Sequence, residues 1–144
     1  MPVGFKNGTD GGIEVAKNAM IAAGHSHAFL GITADGRSAV VRTKGNPDRH
    51  IVLRGGGGST NYDVASIEAA AAAVHSEGIV RPVMVDCSHA NSGKDHTRQA
   101  PACREVMRGL AGGSSPSLMG LLLESNLRPG GQKWEAGAPL EHGV

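Results

Sequence analysis

Aromatic side chains are scarce in this 144-residue chain, where Phe5, Phe29, Tyr62 and Trp134 are the full set. There is no row of rings for stacking bases and no basic block, and the formal net charge is only +1. Nucleic acid and anionic membrane surfaces are therefore excluded as expected partners. A core with so few rings must be built from Val, Ile, Leu, Ala and Met. Cysteine is equally rare, and Cys87 and Cys103 do not make a disulfide framework. No secretory signal opens the chain, because Met1 runs straight into Pro2-Val3-Gly4-Phe5. The longest apolar run, residues 118–123, is too short to span a bilayer. The expected location is the cytoplasm, with reduced thiols.

Glycine, by contrast, is plentiful at 22 residues, which implies many turns and close backbone approaches. Short apolar runs alternate with helical patterns. Residues 3–5, 28–33, 38–42, 50–53, 82–86 and 118–124 read as strands, the last two as buried ones. Residues 13–23, 64–76 and 97–110 read as helices. Asp10 is the candidate N-cap of the first helix, and Pro101 is a first-turn proline or a kink in the third. The runs 38–42 and 50–53 flank a turn at Gly45-Asn46-Pro47-Asp48 and could pair as a hairpin inserted in the alternation. Residues 128–144 read as loop.

Strands without polar alternation, separated by helices, imply an α/β fold with a parallel sheet covered on both faces. About four βα units are present, whereas a closed eight-stranded barrel takes roughly 250 residues. The expectation is half a barrel, or a small open sheet with unusual ends.

Four apolar runs finish on a functional side chain: Phe5 on Lys6, Leu53 on Arg54, Val85 on Asp86 with His89 three residues on, and Leu123 on Glu124. Carboxyl ends of parallel strands converge on active sites. The chemistries also fit together, with two cations for an anion and an imidazole plus a carboxylate for a metal. Arg54 precedes Gly55-Gly56-Gly57-Gly58 and a strong helix, an arrangement that can leave backbone N–H groups free for a phosphate. A flexible loop with a surface arginine is the bland alternative. Lys6 can be an anion ligand, a Schiff-base nucleophile or a surface cation. His89 can be a metal ligand or a structural hydrogen-bonder. Glu124 closes an apolar run, where a carboxylate is costly unless paired or metal-bound. Cys87 reads as a small core residue. The other six histidines share no ligand spacing.

Four motifs occur in order: Gly4-Phe5-Lys6-Asn7-Gly8-Thr9-Asp10-Gly11, Ile51-Val52-Leu53-Arg54-Gly55-Gly56, Asp86-Cys87-Ser88-His89-Ala90-Asn91-Ser92 and Glu124-Ser125-Asn126-Leu127. Together they resemble the class I 3-deoxy-7-phosphoheptulonate (DAHP) synthases of the microbial, feedback-regulated type. The resemblance covers nearly the whole of residues 1–144 and implies a partial (β/α)8 TIM barrel, roughly strands five to eight. The insertion at about residues 31–50 resembles the family's effector-binding elaboration, which implies an aromatic amino acid effector. It further implies that Lys6 contacts phosphoenolpyruvate and that Arg54, with Gly55 and Gly56, holds its phosphate. His89 and Glu124 are then ligands of a divalent metal (manganese, iron, cobalt or zinc), with Asp86 an outer or structural carboxylate.

The implied reaction condenses phosphoenolpyruvate with erythrose 4-phosphate, opening the shikimate pathway, in a homo-oligomeric parent. The metal acts as Lewis acid on the aldehyde, the enol carbon attacks, water adds and phosphate leaves. A metal-binding cysteine, a late aspartate and earlier basic residues of the family have no counterpart here. A fragment without activity of its own is therefore expected. A Schiff-base aldolase using Lys6 and a truncated relative that only binds an effector or partner are the rival readings.

Overall fold

The computed structural model describes residues 1–80 and 82–144. In chain order its elements are β1 (Val3–Lys6), α1 (Glu14–Gly24), β2 (Ala28–Ile32), β3 (Ser38–Arg42), β4 (Arg49–Leu53), α2 (Val64–His75), β5 (Val83–Asp86), α3 (Gln99–Ala111) and β6 (Leu118–Leu122). Two short 3-10 turns, His89–Ser92 and His96–Arg98, lie between β5 and α3. The main sheet is parallel throughout, in the order β1-β4-β5-β6.

The helices form where small apolar residues repeat at helical spacing. On α2 the buried stripe is Ile67, Ala70, Ala71 and Val74, so that alanines let the helix lie close to the strands. Asp63 caps its start by accepting from Ser66 N at 2.9 Å. On α1 the stripe is Ala16 and Met20. On α3 it is Ala102 and Val106, with Gln99 on the same face. Pro101 sits in the first turn of α3, where its missing N–H has no helical acceptor to serve.

These stripes meet Ile51, Leu53, Val83, Val85 and Leu118 in a single core, flanked by Phe5 and Leu121. A register shift between Val83 and Met84 opposes Leu118 to Val83 and Gly120 to Met84, so Leu118 and Leu121 can both face that core. The expected cover on both faces is not found. The second row, Lys6, Val52, Met84 and Gly120, points away from the three helices. A doubly covered sheet would need helices on alternating sides; here each crossover returns to the same side, as in a barrel wall. For the same reason β6 is less buried than expected, with Met119 40% exposed.

The hairpin also differs from expectation. Ser38–Arg42 pairs antiparallel with β2, not with the segment after the Gly45 turn, and Arg49–Leu53 joins the parallel sheet beside β1. Its apolar residues Ile51, Val52 and Leu53 are fully buried only there. Asp10 does not cap α1: its carboxylate accepts from Gly12 N at 3.0 Å, and the cap position is Ile13. No helix or strand occurs in 128–144, where Arg128 pairs with Glu141 at 2.5 Å.

Candidate metal and phosphate site

The parallel sheet brings its carboxyl ends to one rim. Lys6 ends β1, Arg54 follows β4, Asp86 ends β5 and Glu124 stands two residues past β6. Lys6 Nζ lies 2.6 Å from Asp86 Oδ2, 2.6 Å from Glu124 Oε1 and 3.2 Å from His89 Nε2. His89 Nε2 is in turn 3.3 Å from both Asp86 Oδ2 and Glu124 Oε1. One donor atom from each of Asp86, His89 and Glu124 falls within 4.8 Å of the others. His89 reaches this point through a left-handed backbone, φ 53°, uncommon outside glycine.

Burial alone would lower the Lys6 ammonium, but hydrogen bonds to Asp86 and Glu124 and their charges outweigh it and raise its pKa. Burial alone would raise the Asp86 carboxyl, and Lys6 and Ser88 reverse that to a net lowering. Asp86 is fully buried, and its second oxygen, Oδ1, accepts from the Ser88 amide at 2.9 Å and from the Ser88 hydroxyl. Glu124 is held by its backbone. The buried Gln99 amide donates to Glu124 O at 2.7 Å and accepts from Glu124 N at 3.0 Å, as a neighbouring strand would.

Three asparagines tie the loops behind this rim. Asn7, 1% exposed, accepts from Arg54 N at 2.8 Å and donates to Gly55 O at 3.0 Å. Asn61 accepts from Gly55 N at 2.6 Å and donates its own amide to Asn91 Oδ1 at 2.9 Å. Asn91, 4% exposed, donates to Asp86 O at 2.8 Å and to Leu53 O at 3.3 Å.

Beside His89 opens a cavity of about 450 Å³ lined by Arg54, Gly55, Gly56, Thr9, Ala90 and Lys94, among others. Arg54 is aimed by one contact, Nε donating to Asn7 O at 3.0 Å. A Cβ on Gly56 would lie 2.1 Å from Gly11 N, and one on Gly55 2.8 Å from Asn91 N, so three loops close here only because both residues are glycine.

A model described as the DAHP synthetase I family matches residues 1–144. The chain belongs to that family. It is 45% identical over 142 residues to a Phe-sensitive phospho-2-dehydro-3-deoxyheptonate aldolase of Escherichia coli K12, a match covering 99% of this chain and 40% of that protein. A Tyr-sensitive aldolase of the same organism is 44% identical over 135 residues, covering 94% and 37%. Among solved structures, phospho-2-dehydro-3-deoxyheptonate aldolase from Francisella tularensis SCHU S4 superposes with a TM-score of 0.83 at 36% identity, covering 97% of this chain and 40% of that one. The chain thus spans about 40% of the length of these DAHP synthase relatives.

Divalent-metal dependence is general in the DAHP synthase family, and two carboxylates plus an imidazole are a donor set that fits such an ion. The structure brings Lys6, His89 and Glu124 together, and Asp86, expected as an outer carboxylate, offers Oδ2 to the same point. Arg54 lines the neighbouring cavity together with His89. Three amides of the glycine run are not free: Gly55 N bonds Asn61 Oδ1, Gly56 N bonds Ser59 O and Gly57 N bonds Thr9 O. At Gly55 and Gly56 the run serves close packing.

Cys87 is fully buried, as expected, and burial first, then Cys103 and Asp86, push its thiol up to about 11. Gln99, Lys94 and the three asparagines carried no sequence assignment. Only Gln99 leaves a readable signal, a polar residue on the apolar stripe of α3.

Proposed function

We propose that this chain forms the metal- and phosphate-holding part of a 3-deoxy-7-phosphoheptulonate synthase, corresponding roughly to strands five to eight of its (β/α)8 barrel. The observation that carries this is the convergence of Lys6, Asp86, His89 and Glu124 at one strand rim, beside the Arg54 cavity. The substrates are phosphoenolpyruvate and erythrose 4-phosphate, and phosphate is released. Asp86, His89 and Glu124 hold a divalent ion, which when bound polarises the aldehyde oxygen. The Arg54 guanidinium, fixed at Nε, turns its remaining nitrogens toward the phosphate. Gly55 and Gly56 form a side-chain-free wall against which that phosphate packs. Lys6 orients phosphoenolpyruvate and stabilises the charge that develops on it.

A Schiff-base aldolase reading needs Lys6 as a free amine. Two carboxylates hold it as ammonium, which favours the electrostatic role. The hairpin β2–β3 exposes Phe29, Leu30, Ile32 and Val40, apolar surface suited to an aromatic effector in a cytoplasmic homo-oligomer.

The test is a chimaera in which this chain replaces the matching part of the E. coli Phe-sensitive relative, with that relative's flanking parts kept on both sides. With manganese it should release phosphate from the two substrates, and His89→Ala or Glu124→Gln should abolish turnover. A folded chimaera without turnover refutes the synthase reading. A borohydride-trapped adduct on Lys6 would install the aldolase in its place.

A further inference from the structure

The cavity beside His89 contains a second cation that the four motifs do not include. Lys94 lines it together with Arg54 and the glycine run. Among the described residues, no ion pair joins Arg54 or Lys94 to a carboxylate. Two acids beside lining residues, Asp95 next to Lys94 and Asp10 next to Thr9, are already engaged. Asp95 accepts from Thr97 N at 2.9 Å and Thr97 Oγ1 at 2.7 Å, while Asp10 accepts from Gly12. Two unneutralised cations therefore face one hollow, an arrangement that repels itself unless an anion lies between them.

Local structure places Lys94 there. The chain leaves the His89–Ser92 turn through two consecutive left-handed residues, Gly93 (φ 62°) and Lys94 (φ 61°). The Lys94 amide closes back on His89 O at 2.7 Å, and both residues line the same cavity. The amides of Gly55, Gly56 and Gly57 already have partners, so the charge of an anion in the cavity falls to the side chains of Arg54 and Lys94. One guanidinium leaves a phosphate dianion half compensated, and a second cation completes the match.

Resting on the phosphate assignment of Arg54, we propose that Lys94 is the second cation of that subsite and contacts the phosphoryl group of a small phosphomonoester, with Arg54 on its other side. The carbon skeleton then lies toward His89 and the Lys6 cluster.

The experiment is equilibrium dialysis of the 144-residue chain at low ionic strength, with labelled inorganic phosphate and, separately, labelled phosphoenolpyruvate. Both should bind saturably. Lys94→Gln should weaken both by about tenfold, the loss of one charge-assisted contact. Lys94→Arg should retain most of the binding, and Lys44→Gln, an exposed lysine outside the cavity, should leave it nearly unchanged. Circular dichroism melts of all variants should coincide, because Lys94 is exposed. Absence of saturable binding to the unmodified chain overturns the proposal. So does equal weakening by Lys94→Gln and Lys44→Gln, which would mean general screening. Sensitivity for phosphoenolpyruvate but not inorganic phosphate would assign Lys94 to the carboxylate and also overturn it. Lys94-sensitive binding in a chain whose chimaera shows no turnover would sink the synthase reading and leave this subsite standing.

Discussion

Replacing Gln99 by methionine separates fold from site. The side chain lies on the buried face of α3 and contributes its two polar contacts to the Glu124 backbone, at 2.7 and 3.0 Å. Methionine has similar length and packs in the same place but offers neither contact. At about 1 kcal/mol for each neutral hydrogen bond, Gln99→Met should cost about 2 kcal/mol in urea unfolding. The second effect falls on the site. Without the clamp, the segment after β6 is free to shift, and its carboxylate no longer meets Asp86 and His89 at a fixed point. Loss of an outer-shell support of this kind typically weakens metal binding by about tenfold or more. Titration with manganese, following the free ion by electron paramagnetic resonance, reads that change directly. In a Glu124→Ala background the metal effect should vanish while the stability loss remains. Unchanged manganese affinity in Gln99→Met, or a metal effect that persists without Glu124, would show that Gln99 is structural only.

Gly56→Ala should destabilise the chain by roughly 1–3 kcal/mol in the same unfolding assay, because the new methyl meets the Gly11 backbone at 2.1 Å and no side chain can yield. Asp63→Ala removes the cap of α2 and should cost about 1 kcal/mol at neutral pH. Hydrogen bonds from Ser66 hold the Asp63 carboxyl below its ordinary range, so its contribution is complete above the unfolded carboxylate value and lost as pH falls through the lower folded one. The difference in Tm between Asp63→Ala and the unmodified chain should narrow accordingly on acidification, and a constant difference would contradict the cap. Cys87, fully buried with its thiol raised to about 11, should resist iodoacetamide at neutral pH until the chain is unfolded. Labelling at the rate of a free thiol would place it elsewhere.

Much of this arrangement is legible in the sequence because strand ends in a parallel sheet are chemically marked. A charge that closes an apolar run, as at Lys6, Asp86 and Glu124, has few stable places to go, and the topology leaves the rim of the sheet. What escapes the sequence depends on pairing across distance. Ser38–Arg42 is equally compatible with a partner on either side; only the burial demanded by Ile51, Val52 and Leu53 sends the later strand into the main sheet. Asp10 has the residue type of an N-cap, but a local turn to Gly12 competes for its carboxylate and wins. The four glycines look like an anion cradle by composition. Whether their amides are free depends on how Asn61 and Ser59 fold back on the run and on Thr9, which reaches Gly57 from a distant loop. Lys94 carries no pattern at all until the backbone at Gly93 turns it back.

The three asparagines have a consequence for how the site opens. Where a sheet would use a ladder of repeated backbone bonds, each independent of the next but one, this rim uses side-chain amides that each serve two loops. Such a knot has no partly untied form of low energy: releasing Asn61 frees Gly55, and freeing Gly55 leaves Asn7 with one anchor in place of two. The amides of Arg54, Gly55, Asn61 and Asn91 should therefore exchange with deuterium as a single unit, at one common opening free energy, although they belong to two loops far apart in the chain. On this reading the rim moves as one hinge-less block, and the precision of the strand-end side chains rests on that cooperativity, since among the described residues no strand is longer than five.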